Sequence, residues 1–260
     1  GKEYEFKYEE FQIDLLQVDS CRIYVQDIDA QEDAFGNKNT VQVKNVIEDM
    51  TGTLKIDAPT NKSGVHSKDY SEYPILTSKK DSYVYYDNSR IQKGVYGRDK
   101  FYYQVEPFVI DSLDNFNSND LSFQGTLVSS GIFPDIDEPL VLMDDYSLGF
   151  DVATTTSGLP IYGGKGDFTA DVRLSYNGLQ GSGSLDFLTS TSMSEEFTFF
   201  PDSTLGKTKS FLNNEQAGSL NVPKVTAQVV DLAFYPKSDR LKATSLYEPI
   251  TFFRNEAELT

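Results

Sequence analysis

The chain has no tryptophan, one cysteine and one histidine among its 260 residues. A single cysteine, Cys21, forms no disulfide within the chain, so no disulfide framework holds it. Cys21 lies in the strand-like run Cys21-Arg22-Ile23-Tyr24-Val25 and reads as a small core residue rather than a nucleophile. One cysteine and one histidine, distant in sequence, do not supply the nitrogen and sulfur cluster that zinc requires. His66 has Ser63 and Ser67 as neighbours and sits in a polar, glycine-containing stretch. A serine–histidine–acid triad is a matter of geometry that spacing alone does not supply, and no Gly-x-Ser-x-Gly elbow exists here. His66 therefore reads as a solvated loop residue. The lack of tryptophan counts modestly against sugar binding, because saccharide platforms commonly use it.

Basic residues are also scarce. There are 23 Lys and Arg against 40 Asp and Glu, giving a net charge of −17 and a pI near 4.4. Nucleic-acid binding needs a basic footprint, which this balance excludes. Attraction to anionic lipid head groups is disfavoured for the same reason. The charge favours solubility and leaves divalent cations as candidate partners. No apolar run approaches the ~20 residues of a transmembrane helix. No signal-peptide pattern opens the chain, and Gly1 is not an initiator methionine. The run from Phe252 to Thr260 reads as a strand that should continue. Together these ends predict a piece of a longer polypeptide.

What the chain does have is alternation. Phe11, Ile13 and Leu15, then Val41 and Val43, then Leu54 and Ile56 follow period two. Phe168, Ala170, Val172 and Leu174 alternate with Thr169, Asp171, Arg173 and Ser175. Period two marks half-buried strands, and the β-branched and aromatic residues filling these runs suit them. Aromatics, all Phe and Tyr, make up 13% of the chain, which fits sheets with one wet face. The best helical pattern is a modest one over Lys207 to Gln216. Turn chemistry separates the runs at Ala34–Asn39, at Asn61-Lys62-Ser63-Gly64 and at Asn177-Gly178, the last predicting a type I′ hairpin. Thr154 to Pro160 is a soft seam. The expectation is one continuous β-rich segment over 1–260 with a seam near 154–162. The predicted fold is all-β, with stacked antiparallel sheets in an elongated β-sandwich or irregular β-solenoid.

Some phrases recur. Thr51-Gly52-Thr53-Leu54, Gln124-Gly125-Thr126-Leu127 and Ser182-Gly183-Ser184-Leu185 share a Gly–hydroxyl–Leu core. Phe197-Thr198-Phe199-Phe200-Pro201-Asp202-Ser203 is similar to Leu232-Ala233-Phe234-Tyr235-Pro236-Lys237-Ser238. Glu106-Pro107, Glu138-Pro139 and Glu248-Pro249 each lead an apolar run, where proline needs no ladder donor. The spacing is irregular, so a regular solenoid or propeller is excluded.

The residues offer three kinds of candidate site. Calcium takes oxygen ligands only, and acids cluster at Asp27, Asp29 and Asp33, at Asp111, Asp114 and Asp120, and at Asp135, Asp137 and Glu138. The first and third are the candidate calcium ligands; no other cofactor is expected. Tyr162-Gly163-Gly164-Lys165-Gly166-Asp167-Phe168 approaches a calcium-binding nonapeptide but reads better as a tight turn, and it lacks the P-loop ending. Paired carboxylates could hydrolyse glycosides, but chance pairs are certain among 40 acids. The richest stretch runs from Tyr83 to Phe108. Tyr83, Tyr85, Tyr86, Arg90, Tyr102 and Tyr103 are its candidate ligand-binding residues, by stacking and cation–π contact. The competing reading is a tyrosine-rich hairpin stabilised by cross-strand pairs.

The phrase from Val46 to Asp57 with Asn61-Lys62-Ser63-Gly64, then Pro107 to Phe116, Asp145-Tyr146-Ser147-Leu148-Gly149-Phe150 and Gly163 to Leu188, has a family likeness. Together they resemble very long, uncharacterised β-repeat proteins of the Bacteroidetes cell envelope. The resemblance covers most of the chain and implies an extracytoplasmic place, periplasm or cell surface. It also implies a large parent protein and neighbouring repeats of the same polypeptide as partners, and it transfers no functional residues. Leu179 to Phe187 is similar, more weakly, to AsmA/TamB-type proteins, whose β groove shields lipid chains. The expected function is a non-catalytic, structural or adhesion-like segment, not an enzyme, partnered by an envelope protein, glycan or lipid. The alternatives are a lipid-handling β-groove and a carbohydrate-binding or carbohydrate-active module.

Overall fold

A computed structural model describes residues 3–27, 39–61, 70–114, 116, 121–216, 223–252 and 257–259. These residues are all-β: antiparallel sheets, none closed into a barrel, and no helix beyond single 3-10 turns at Gln92–Gly94 and Pro236–Ser238. They divide into two units. The first comprises Gly1–Tyr86, Tyr102–Leu127 and Asp137–Phe150; the second comprises Asp87–Phe101, Val128–Ile136 and Asp151–Thr260. The soft seam at 154–162 lies inside the second unit.

The strands lying wholly or mostly in the first unit are β1 (Glu3–Lys7), β2 (Gln12–Cys21), β3 (Tyr24–Gln26), β4 (Thr40–Gln42), β5 (Ile47–Lys55), β6 (Ile75–Ser78) and β7 (Ser82–Tyr85). They continue with β8 (Phe101–Val105), β9 (Val109–Ile110), β10 (Ser122–Phe123), β11 (Gly125–Ser129), β12 (Leu140–Leu142) and β13 (Leu148–Ala153). The main sheet runs β1-β2-β5-β7-β8-β11, with β6 pairing β5 and β9. β10, β12 and β13 pair in that order, and β3 pairs β4. Residues 34–38 of the predicted Ala34–Asn39 turn lie outside the described residues, between those two paired strands. Alternation puts Val84, Tyr103 and Val105 into the core with no exposure.

The second unit is a meander of long strands. β14 (Leu159–Ile161) pairs β15 (Gly166–Ser175), followed by β16 (Gly178–Phe187), β17 (Ser190–Phe200) and β18 (Ser203–Asn213). Beyond β18 the sheet forks. One arm is β20 (Val230–Tyr235) with β21 (Arg240–Ser245). The other is β19 (Val225–Ala227), β22 (Ile250–Phe252) and β23 (Ala257–Leu259). The core is aromatic, with Phe168 edge-on to Phe199 at 5.0 Å and Phe133 edge-on to Phe199 at 4.9 Å.

At two places the backbone departs from the sequence pattern. Lys207 to Asn213 is strand β18, not helix. Register shifts between β17 and β18 skip Lys209, so the buried Thr208 and Phe211 fall three apart and imitate a helical face. At the Asn177-Gly178 hairpin only Gly178 takes positive φ, at 94°. A type I′ turn needs positive φ at both central residues, so the turn is of another type.

The recurring phrases fold alike. A Cβ on Gly52, Gly125 or Gly183 would lie 2.0 Å from the carbonyl oxygen of Thr77, Gln104 or Thr169 respectively. Each glycine therefore lets a neighbouring backbone approach where no side chain fits. The two Phe/Leu–Pro phrases both end a strand and open a hairpin, β17 to β18 and β20 to β21. Leu140 and Ile250, each preceded directly by proline, begin β12 and β22.

Candidate functional site

The tyrosine-rich stretch divides by strand geometry. Tyr85 pairs with Tyr102, and Val84 with Tyr103. Period two sends Tyr83, Tyr85 and Tyr102 to one face, half-buried, and Tyr103 to the other. Tyr83 stacks on Tyr85 at 6.0 Å and meets Tyr102 edge-on at 5.7 Å. Beside them the Gln104 side chain donates to Asp81 at 2.7 Å. These three rings form an aromatic ladder on the first unit.

Tyr86 and Tyr103 have no exposure and face no solvent-borne ligand. The Tyr86 hydroxyl donates to the Leu148 carbonyl at 2.9 Å. The Tyr103 hydroxyl lies 2.7 Å from the Glu138 carbonyl and 3.1 Å from that of Phe123. Burial pushes both phenols well above the ordinary tyrosine range. They act as core staples that satisfy backbone acceptors. Arg90 is exposed and belongs to the second unit, where its amide donates to the Asn88 side chain at 2.9 Å.

The second unit has its own staples. The Tyr96 hydroxyl donates to the Phe199 carbonyl at 2.7 Å and accepts from the Leu179 amide at 3.1 Å. Burial pushes its pKa up to about 12. The Tyr162 hydroxyl contacts the carbonyls of Phe200 at 2.9 Å and Ser203 at 2.7 Å. No sequence feature distinguished these tyrosines from surface ones.

Of the candidate calcium ligands, Asp27 accepts a hydrogen bond from the Tyr146 hydroxyl at 2.7 Å. Asp29 and Asp33 lie outside the described residues, as do His66 and Asp120. Asp135 is exposed in the second unit, while Asp137 of the first accepts from the Thr126 hydroxyl at 2.6 Å. Glu138 offers its backbone carbonyl to Tyr103. Among the described residues no three His, Cys, Asp or Glu side chains stand together as a metal site would need. Also among them, no helix is long and apolar enough to cross a membrane.

Among the described residues of the second unit, three concavities bear on function. The first, about 660 Å³, is open and polar, with Asp151, Asp171, Arg173, Gln180, Glu195 and Glu196 around it. Its side chains pair with one another and with a neighbour: Arg173 with Asp151 at 3.5 Å, Gln180 with Glu196 at 2.8 Å, and Lys209 with Glu195. A second, about 330 Å³, lies in the fork and is lined by Phe187, Phe211, Val225, Leu241, Ile250 and Phe252. Its polar rim is internally satisfied, with Thr189 donating to Asn213 at 2.7 Å and Ser190 to the Phe187 carbonyl at 2.8 Å. A third, about 230 Å³, is bounded by turns that carry Lys165 and Lys237.

Comparison with protein families finds no match to this chain. Comparison with curated proteins finds none, and neither does comparison with solved structures.

Proposed function

We propose that this chain is a non-catalytic, structural or adhesion-like β-repeat segment of a large cell-envelope protein. The observation that carries the reading is the recurring glycine phrase. It makes the same close backbone approach at Gly52, Gly125 and Gly183, in both units. Degenerate copies of one building unit would leave this trace, since the local packing rule persists after the surrounding residues diverge. The acidic balance and the likeness to long envelope proteins point the same way. Fractionation of the source cells, with an antibody to this chain, tests it. Recovery with the envelope is expected; recovery as free cytoplasmic protein overturns the proposal.

A second reading, a lipid-handling groove, draws on the apolar concavity in the fork. Its walls are aliphatic and aromatic, and its Thr189 and Ser190 hydroxyls are already bonded. Such a site would reward an acyl chain by ~0.8 kcal/mol per buried methylene. Native mass spectrometry of the protein purified without detergent should then find bound lipid, and a uniformly ligand-free species removes this reading.

A further inference from the structure

We infer that the pocket between Lys165 and Lys237 binds a compact anionic group, carboxylate or phosphate, carried on a small body with an apolar face. Four turns of the second unit meet there. They are the Ser130-Gly131 turn, the Gly163-Gly164 turn between β14 and β15, and the two proline turns that follow the recurring Phe/Leu strands. The sequence phrases that looked alike thus bring Pro201 and Pro236 to one cavity.

The walls are prearranged. Tyr162 is pinned at its amide, which donates to the Ile132 carbonyl at 2.8 Å, and at its hydroxyl, 2.7 Å from the Ser203 carbonyl and 2.7 Å from the Thr204 hydroxyl. Its ring and the two prolines give an apolar surface that cannot collapse easily, because proline fixes its own φ. The volume, about 230 Å³, is several times the ~30 Å³ share of one water and admits a molecule the size of a single sugar acid.

The charge is what selects an anion. The chain carries −17 overall, yet two lysines are among the residues lining this cavity. Lys165 pairs with Asp239 at 2.7 Å, and both side chains are about half exposed, at 49% and 56%. Such exposed pairs are weak and rearrange readily. Lys237 is exposed and makes no ion pair among the described residues. The backbone leaves room for a ligand oxygen. Gly131 lines the pocket at φ 76°, and a Cβ there would meet nothing within 4 Å, while Gly163 and Gly164, at 69° and 84°, shape the turn that carries Tyr162 and Lys165. Ser130 and Tyr162 are held left-handed as well, at 60° and 52°. Non-glycine residues in that region concentrate at ligand clamps.

The inference holds whether or not the chain is a structural segment. Backbone amide shifts in a titration with inorganic phosphate, glucuronate or glucose test it, on the wild-type chain, on Lys237→Gln and on Lys242→Gln, an exposed lysine not lining the pocket. Saturable shifts should centre on Gly131, Tyr162, Lys165 and Lys237 with an anionic probe. Lys237→Gln should weaken binding about fivefold, the loss of one charge pair at contact distance in water, while Lys242→Gln should not. Response to both anions identifies a free-anion site, and response to glucuronate alone identifies an acidic sugar. Equal binding of glucose, an equal effect of both substitutions, or no saturable shift overturns the proposal.

Discussion

The backbone amide of Leu179 donates a hydrogen bond to the hydroxyl of Tyr96, a residue far back in the chain, at 3.1 Å. The same hydroxyl donates a hydrogen bond to the Phe199 carbonyl at 2.7 Å, so one phenol closes two backbone groups on adjacent strands. Tyr96→Phe keeps the ring against Phe101, at 4.3 Å, and deletes only this junction. The buried amide and carbonyl then lose their partner, a loss of about 1–3 kcal/mol. Urea denaturation should show a lower midpoint with an unchanged slope.

Alkali should unfold the protein in a defined window. Burial raises Tyr96 from 10.0 to about 12, and it raises Tyr86, Tyr103 and Tyr162 as well. A phenol whose folded pKa is raised retains its proton in the native state after the unfolded chain has released it. Its contribution is therefore complete below pH ~10, the ordinary tyrosine value, and is lost as the pH rises toward the folded value. Denaturation midpoints should hold steady to mildly alkaline pH and then fall, with tyrosinate absorbance rising in step with unfolding. Tyr96→Phe should flatten that fall.

The glycines should separate into two classes. Gly183→Ala and Gly52→Ala place a methyl group 2.0 Å from a carbonyl oxygen of the next strand and should cost more than ~3 kcal/mol. Gly164→Ala meets open space and should cost only the roughly 1–2 kcal/mol of a left-handed alanine. Thermal unfolding of the three variants measures the difference. Equal losses would mean that the close approach relaxes without penalty.

The tyrosine ladder should couple as cross-strand neighbours do. A double-mutant cycle of Tyr83→Ala with Tyr102→Ala should give a coupling of ~1 kcal/mol in stability. A coupling near zero, with a lost glycan-array signal, would instead assign these rings to a ligand.

Much of this architecture was readable from the residues. Phe168, Val172 and Leu174 alternate in sequence and are buried in the structure. The proline-led runs begin strands at Leu140 and Ile250 because proline is tolerated where no ladder donor is needed. The misread helix at Lys207 came from a bulge, which breaks period two without leaving a compositional mark. The six candidates between Tyr83 and Tyr103 do not share one surface, because the alternation that marks the strands separates them. Period two sends Tyr103 inward while Tyr102 stays outside, and Tyr86 is sealed in the core. The pocket at Lys165 and Lys237 was illegible because its walls come from four turns separated by whole strands. Sequence proximity carries no record of where turns converge.

Cys21 ends β2 opposite Ile47, and burial raises its thiol pKa. It is the sole sulfhydryl, and it belongs to the first unit. The protein thus contains one natural reporter of local opening. A thiol-reactive dye therefore reports on the end of β2, where Cys21 is only part-buried, and the second unit contributes no background. Labelling rate and global unfolding rate, compared on one sample, reveal whether the two halves melt together or separately.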